Sequence, residues 1–224
     1  MSETTPDPAG PVLVGLVVGD EPAAWRAAGF TVEDDEVRLG RLVLRLVGTS
    51  AGRGVLRWAT DPPVTSSCDG LQPAEPAERP VATAAAGAEA TPHTPAHRNG
   101  VVALDHVVVA TDDLERTTET LGDLGLQPRR TVVGIRGDGD DELAYRFFLM
   151  GTCVLELVGP TRPAGDGPAR FSGLAFTSTS LEELGGLAGE PRDAVQPGRR
   201  IATLRGKPLG VSVPLAFLSP RPGR

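Results

Sequence analysis

Hydrophobic and polar positions after residue 100 follow a regular succession of strand-like and helix-like stretches. Residues 101–110 are rich in valine, which favours a β-strand. A helix is predicted from Leu114, where Asp112 or Asp113 can cap its first turn, to the glycines that follow. Further strands are predicted at 127–135, 142–150 and 152–159, the last ending at Gly159-Pro160. The predicted order is therefore βαβββ.

The same order recurs in the last part of the chain. A strand is predicted at 171–178, and a short helix at 180–189 has Ser180 as a candidate cap. Strand-like stretches then continue to Pro220. A single module of this kind would leave one sheet face uncovered. The pattern therefore predicts an α+β fold in which two βαβββ modules pair over residues 100–220.

A third, shorter version of the pattern precedes these two. It spans residues 10–60 and ends in LRLVG, which differs from the later LELVG only by Arg45 in place of Glu156. Internal repetition of this length indicates duplicated modules that pair with one another. We therefore predict an additional, degenerate βαβββ-like half-module at the N-terminus.

Residues 61–99 interrupt the pattern with a stretch rich in Pro, Ala, Thr and Glu. Such a composition buries too little apolar surface to offset the entropy of ordering, which predicts a flexible or extended linker. His93 and His97 lie in this stretch, and the neighbouring Pro92 and Pro95 disfavour a metal-binding helix. Both histidines are interpreted as solvated linker residues.

Composition narrows the classes of protein that fit. The net charge of −7 argues against a nucleic-acid partner, which would favour a basic face. There is no apolar run of roughly 18 residues to span a membrane, and the N-terminus lacks the pattern of a signal peptide. Cys68 and Cys153 lie in a polar and an apolar context, which does not indicate a disulfide framework. A cytoplasmic protein with no nucleic-acid or membrane partner is expected.

Four strings carry a resemblance to a known family: LDHVVVATDDLERTTETLGDLGL, LELVGP, GLAFTSTSLEEL and PLAFLSP. They resemble the vicinal-oxygen-chelate superfamily of glyoxalase, bleomycin-resistance and dioxygenase proteins. The resemblance implies that two modules curve into an open cup around a small-molecule pocket, often as a homodimer. It also implies a divalent metal, of unknown identity, held by the first and fourth strands of each module.

Transferring those ligand positions gives an incomplete set. His106 on the first strand and Glu156 on the fourth match the ligand types of the family. The equivalent positions fall near Gly173 and Ala216 in the last module, and near Val14 and Arg45 in the first. The resemblance thus implies His106 and Glu156 as metal ligands and catalytic residues, with the remaining positions unable to ligate.

The residues themselves leave two interpretations open for this pair. Each shares a strand face with aliphatic side chains, because residues two positions apart in a strand project from the same face. Val108 lies two residues after His106, and Val154 lies two residues before Glu156. An ionised carboxylate in such surroundings needs a metal, a protonated histidine or an arginine as partner. The pair is either a working metal or acid–base site, or a buried remnant of a metal-binding ancestor.

Several further side chains are candidates for substrate binding. Arg199 and Arg200 follow a Pro-Gly turn and point to opposite faces, so at most one faces the cup. An inward arginine would suit a carboxylate or phosphate, whereas the competing interpretation is a solvated strand end. The predicted substrate-binding residues are Arg146, Phe147, Arg170, Phe171 and Arg199, with Gln196 and Arg200 as further candidates.

Two main functional hypotheses follow. The first is a metal-assisted isomerase, lyase or dioxygenase acting on a small oxygenated molecule, with His106 and Glu156 in the catalytic roles. The alternative is a metal-free binding protein that sequesters a small molecule, as bleomycin-resistance relatives do. A third, structural hypothesis makes the N-terminal module a dimerisation piece.

Overall fold

A computed structural model describes residues 10–80, 95–135 and 142–222 of the chain. Two sheets and two α-helices organise this part. Neither helix is long and apolar enough to cross a membrane, within the residues described.

The first sheet belongs to the N-terminal segment. Its strands are β1 (Val12–Val18), β2 (Glu36–Leu39), β3 (Leu42–Leu46), β4 (Val55–Asp61) and β5 (Gln72–Pro73). The spatial order is β2-β3-β1-β4-β5, with β1 parallel to β3 and antiparallel to β4. The first module is thus βαββ, one strand short of the predicted order, and β4 lies on the opposite side of β1.

The second sheet contains the two predicted modules. Its strands are β6 (Val101–Ala110), β7 (Pro128–Ile135), β8 (Glu142–Met150), β9 (Cys153–Pro160), β10 (Arg170–Ser178), β11 (Arg192–Asp193), β12 (Arg200–Thr203) and β13 (Leu215–Leu218). Their order is β11-β12-β13-β10-β6-β9-β8-β7, in which β6 and β10 join the modules as antiparallel neighbours. Within each module the first strand is parallel to the last. The predicted α+β class with paired modules is confirmed.

Two helices cover the sheets unevenly. Helix α1 (Pro22–Ala27) follows β1, and helix α2 (Leu114–Asp123) follows β6. Of the two predicted caps, Asp112 and Asp113, it is Asp113 whose carboxylate accepts a hydrogen bond from the amide of Arg116. The helix predicted at 180–189 is wrong, since only a 3-10 turn (Glu182–Leu187) forms around Gly185, whose φ is 49°.

One continuous apolar core joins the two sheets. Trp25 of α1 and Phe30 contact Phe176 of β10, and Phe30 also lies 5.7 Å from the ring of His97. Helix α1 therefore packs beside the second module, where a full helix is missing. The N-terminal segment docks in cis through these contacts.

The described residues of 61–99 differ from the flexible or extended linker that composition predicts. Strand β5 and a 3-10 turn (Pro76–Glu78) form within it, and Leu71 is buried. His97 is also buried, with Nδ1 accepting from the amide of Thr31 and Nε2 facing the carbonyl of Arg38. Contacts with the preceding sheet, which composition does not reveal, order these residues. The remaining part, with His93, lies outside the described residues.

Candidate functional site

His106 and Glu156 lie on the central parallel pair of the second sheet. Strand β6 pairs with β9 so that Val108 is directly opposite Glu156 and His106 is opposite Val154. Directly paired residues project from the same sheet face. Nε2 of His106 consequently lies 3.6 Å from Oε2 of Glu156. The sequence predicted His106 and Glu156 as a pair, and the fold places these two side chains next to each other.

Strand β6 is irregular at this point. Ala175 pairs with His106 and Phe176 pairs with Leu104, so that Asp105 is the extra residue of a β-bulge. Neighbouring side chains of a regular strand point to opposite faces. Here, however, Oδ1 of Asp105 lies 3.0 Å from Nδ1 of His106. The bulge turns Asp105 toward the side of His106.

Arg199 completes a chain of charged groups behind His106. Its side chain is 2% exposed, and Nη1 lies 2.8 Å from Oδ2 of Asp105. The same guanidinium also donates through Nε to the carbonyl of Ser219 at 2.7 Å and through Nη1 to Oε1 of Gln196 at 2.5 Å. The hydroxyl of Thr177 also donates to Asp105, at 3.2 Å. The order of contacts is Arg199, Asp105, His106, Glu156.

The electrostatics of Asp105 follow from this arrangement. Burial acts to raise the pKa of the Asp105 carboxyl, but hydrogen bonds from His106 and Arg199 outweigh it and lower the pKa to about 2. Asp105 is therefore a carboxylate at neutral pH. A carboxylate only accepts hydrogen bonds, so Nδ1 of His106 is the donor between them.

Sequence reasoning missed Asp105. The dipeptide Asp105-His106 was visible, but alternation assigned the two side chains to opposite faces. Only the strand pairing shows the extra residue. The proximity of an acidic residue to a predicted histidine was the one available signal.

The other predicted substrate-binding residues separate onto two faces. Phe147 pairs with Glu156 and shares its face. Arg146, the next residue back along β8, instead pairs with Glu115 of α2 and donates to the Thr118 hydroxyl at 2.7 Å. Arg146 therefore lies on the helix-covered side, and its predicted role on the site face is not supported by this placement.

The two residues predicted to bind substrate at the start of β10 also lie on different faces. Arg170 is exposed and pairs with Ala110, at the rim of the face that carries His106. Phe171 packs against the apolar core, with its ring 6.2 Å from that of Trp58. Phe171 thus contributes to core packing.

The two neighbouring arginines do point to opposite sides, as predicted. Arg199 contacts Asp105, whereas Arg200 lies 3.3 Å from Glu182 of the 3-10 turn. The guanidinium of Arg199 is already used by protein acceptors. Its placement makes it a support of the site face.

Strand register identifies the counterparts of the pair. In β10 and β13, Ala175 pairs with Ala216 as Val108 pairs with Glu156. A second bulge places Ser172 before Gly173, as Asp105 precedes His106. The repeat is therefore structural as well as sequential, and Gly173 and Ala216 offer no donor atoms in their side chains.

In the first sheet the counterpart of His106 moves by one residue. Val17 pairs with Arg45 and Gly15 pairs with Val43, so Gly15, and not Val14, matches the histidine position. A Cβ at Gly15 would lie 2.9 Å from Cγ of Pro80. The N-terminal sheet carries no equivalent of the His–Glu pair.

The corresponding face of the first sheet is covered by the chain itself, through residues 74–80. Arg45 donates to the carbonyl of Ala77, and Arg57 pairs with Glu78 through two hydrogen bonds. Arg79 donates to the carbonyl of Thr60. Residues 74–80, the covering segment, therefore lie over this face of the first sheet.

The donor set around His106 does not fit a metal held by the protein alone. Within residues 10–80, 95–135 and 142–222, no group of three or more His, Cys, Asp or Glu side chains is placed to hold a metal ion. Zinc sites use three or four protein ligands. The site face offers Nε2 of His106 and the carboxylate of Glu156 as metal ligands, because the carboxylate of Asp105 is already paired with Arg199.

Comparison with models of known protein families gives a match to the part of the chain that carries His106 and Glu156. A family model described as the Glyoxalase/Bleomycin resistance protein/Dioxygenase superfamily matches residues 103–190. Residues 103–190 thus match the domain of this superfamily. The matched residues include both His106 and Glu156. No curated protein sequence matches the chain significantly.

Solved structures extend the likeness of fold to the N-terminal sheet. A mutant of 4-hydroxymandelate synthase from Streptomyces coelicolor is 14% identical, with 97% of this chain and 94% of that chain covered and a TM-score of 0.56. A catechol 2,3-dioxygenase is 15% identical, with 96% and 90% covered and a TM-score of 0.51. A methylmalonyl-CoA epimerase from Mycobacterium tuberculosis is 20% identical, covers 55% of this chain and 91% of its own, and has a TM-score of 0.42. At these identities the first two comparisons show the fold alone.

Proposed function

We propose that the His106 face of the second sheet binds a small molecule without a resident metal. The observation that carries this proposal is the convergence of Nε2 of His106 and Oε2 of Glu156 at 3.6 Å. Both side chains are partly exposed, at 16% and 17%, and aliphatic residues such as Val108 and Val154 lie beside them on the same face. Small-molecule sites combine apolar walls with a few converging polar groups in this way.

The incomplete donor set favours binding over metal chemistry. Gly173 and Ala216 stand where the second module would supply ligands, and the first sheet has Gly15 and Arg45. The sequestration type of function, which was the alternative from the sequence, is therefore our first candidate. A cytoplasmic location and a homodimer remain predictions that accompany it.

A metal-assisted isomerase, lyase or dioxygenase is the second candidate. It is supported by the same two side chains, which match ligand types of the superfamily and both keep a solvent-accessible edge. A hard cation bound jointly with a substrate needs fewer protein ligands than zinc does. Glu156 would in this case also be a candidate general base.

Thermal-shift screening of a fragment library, together with metal analysis of untagged protein, separates the two candidates. Sequestration predicts fragments that raise the Tm of the wild type but not of His106→Ala or Glu156→Gln, with no stoichiometric metal. Arg200→Ala is the matched control, since Arg200 faces the other side. Stoichiometric Mn, Fe, Ni or Zn would overturn the metal-free proposal. Equal Tm shifts in the wild type and all variants would show that the fragments do not bind at His106 and Glu156.

A further inference from the structure

We propose that the His106–Glu156 site selects a ligand group that donates hydrogen bonds, an ammonium before a hydroxyl, and rejects a carboxylate. Asp105 and Arg199 act as positioning residues, since they fix which nitrogen of His106 faces the ligand. This inference rests on the proposed binding function and names the chemistry of its ligand.

The first step is the fixed position of Asp105. Both of its carboxylate oxygens are held, Oδ2 by Arg199 at 2.8 Å and Oδ1 by His106 at 3.0 Å. Arg199 is itself held by the carbonyl of Ser219 and by Gln196. A buried ion pair with its remaining donors satisfied gives a rigid support for a neighbouring group.

The second step concerns the proton of His106. The carboxylate of Asp105 accepts only, so the proton of a neutral imidazole lies on Nδ1 and the lone pair lies on Nε2. Nε2 faces the carboxylate of Glu156. With a neutral imidazole, the site therefore presents two acceptors side by side.

The third step is the consequence of two acceptors at 3.6 Å. They repel each other unless a donor lies between them, and partly buried acceptors without donors are costly. Within the described residues, Glu156 accepts no hydrogen bond from the protein, and its strand neighbours Val154 and Val158 carry no side-chain donor. A donor group of a ligand, with a positive charge to complement Glu156, completes this arrangement.

Cations on the same face lie at its edges. Arg130 pairs with Phe147 and Arg170 pairs with Ala110, and both side chains are exposed. An anionic ligand would be drawn to these rim residues, away from Glu156. The position at which a probe binds therefore distinguishes the donor-selective site from a rim anion site.

Nitrogen NMR of the His106 ring at mildly alkaline pH tests the positioning step without a ligand. We expect the Nδ1–H tautomer in the wild type, which is the opposite of the preference of a free histidine. Arg199→Lys keeps the cation and should retain it, whereas Asp105→Asn should shift the ring toward the Nε2–H form. An Nε2–H or doubly protonated ring in the wild type overturns the inference, whether or not ligands bind.

Three probes with one ring and different polar groups test the selectivity: benzylammonium, benzyl alcohol and benzoate. Titrations followed by side-chain NMR should give the affinity order in which they are named, with benzylammonium at least tenfold tighter than benzoate. Glu156→Gln should reduce that preference at least fivefold, while Glu115→Gln on the helix side leaves it unchanged.

Each result of these titrations is decisive. Benzoate binding as tightly as benzylammonium, an order unchanged by Glu156→Gln, or no benzylammonium binding at a face that takes other fragments would each overturn the inference. If no probe and no fragment perturbs this face, the proposed function itself fails. The failure of the inference is thus distinct from the failure of the function.

Discussion

At the scale of single residues, the charge pair between Arg199 and Asp105 dominates the account. Arg199 is the one arginine among the buried residues of the described chain, and its partner Asp105 is also buried. Removing one member of such a pair leaves the other charge buried and unpaired. This residual charge costs more than an exposed ion pair contributes.

We therefore expect Arg199→Met to lower the free energy of unfolding by about 3–5 kcal/mol. Urea denaturation measures this loss. Arg200→Met is the control, because Arg200 is exposed and its contact with Glu182 is a surface pair, so its effect should stay within about 0.5 kcal/mol. Similar losses in the two variants would contradict the structural role of Arg199.

His97 gives the protein a pH dependence of stability. Burial lowers the pKa of His97 from its ordinary value of 6.5, and the hydrogen bond to the carbonyl of Arg38 opposes this only in part. The unfolded chain then takes up a proton before the folded chain does. The stability contributed by neutral His97 is complete above about pH 6.5 and is lost as the pH falls below it. Urea midpoints between about pH 7.5 and pH 5 should fall more steeply for the wild type than for His97→Gln; equal slopes would count against this role.

The residue scale also shows where sequence reasoning reached its limit. His106 and Glu156 could be found because alternation within two regular strands places them on one face. Asp105 could not be found, because a bulge breaks that alternation and its position depends on the partner strand. Arg146 was predicted to bind substrate but lies on the helix-covered side, and a single strand pattern does not tell which side a helix will cover.

At the scale of elements, the covering segment 74–80 closes the face of the first sheet that corresponds to the His106 face. Its 3-10 turn is tied to β4 by Arg57 and Glu78, and Pro80 lies on Gly15 of β1. Hydrogen bonds from Arg57 and the Glu75 amide hold the pKa of Glu78 below its usual value, against the effect of burial. The segment that composition assigned to a linker is in this part a cover for a sheet face.

Gly15→Ala tests this packing. The added Cβ would lie 2.9 Å from Pro80 and 3.3 Å from the carbonyl of Val43, so the covering segment has to move. We expect a loss of about 1–3 kcal/mol in unfolding free energy, with faster amide hydrogen exchange in 74–80. Gly186→Ala, where nothing lies within 4 Å of the new atom, should leave both unchanged. Unaltered exchange in Gly15→Ala would show that Pro80 does not rest on β1.

The order of helices and strands was the feature of the fold that the sequence predicted best. Strands β6 to β9 and helix α2 follow from valine-rich alternation and a capping aspartate, which are local signals. Two other features depend on what packs beside them. One is the 3-10 turn that replaces a helix in the last module, and the other is the position of β4 on the opposite side of β1 from β3. Trp25 and Phe30 fill the space over β10, so no full helix is required there.

At the scale of the whole molecule, the two sheets are locked together within one chain. Asp20 is fully buried and accepts hydrogen bonds from the indole of Trp25 and from the amide and hydroxyl of Ser212. Asp69 likewise joins Arg116 of α2 at 3.0 Å. Polar ties and the shared core span the boundary between the sheets.

We therefore expect the chain to unfold in a single transition. The two tryptophans, Trp25 and Trp58, belong to the N-terminal part, so their fluorescence reports on the first sheet, whereas the His106 NMR signal reports on the second. The two urea curves should coincide, and Asp20→Ala should lower both midpoints together. A first sheet that melts separately would contradict the shared core.

The most direct test of the central claim is an NMR map of where fragments bind. The account predicts shifts at His106, Val108 and Phe147, and their loss in Glu156→Gln. The rival location is an open cleft of the first sheet, lined by residues that include Glu36, Arg38 and Arg45. Fragment shifts confined to that cleft, with the His106 face unperturbed, would contradict the proposed site.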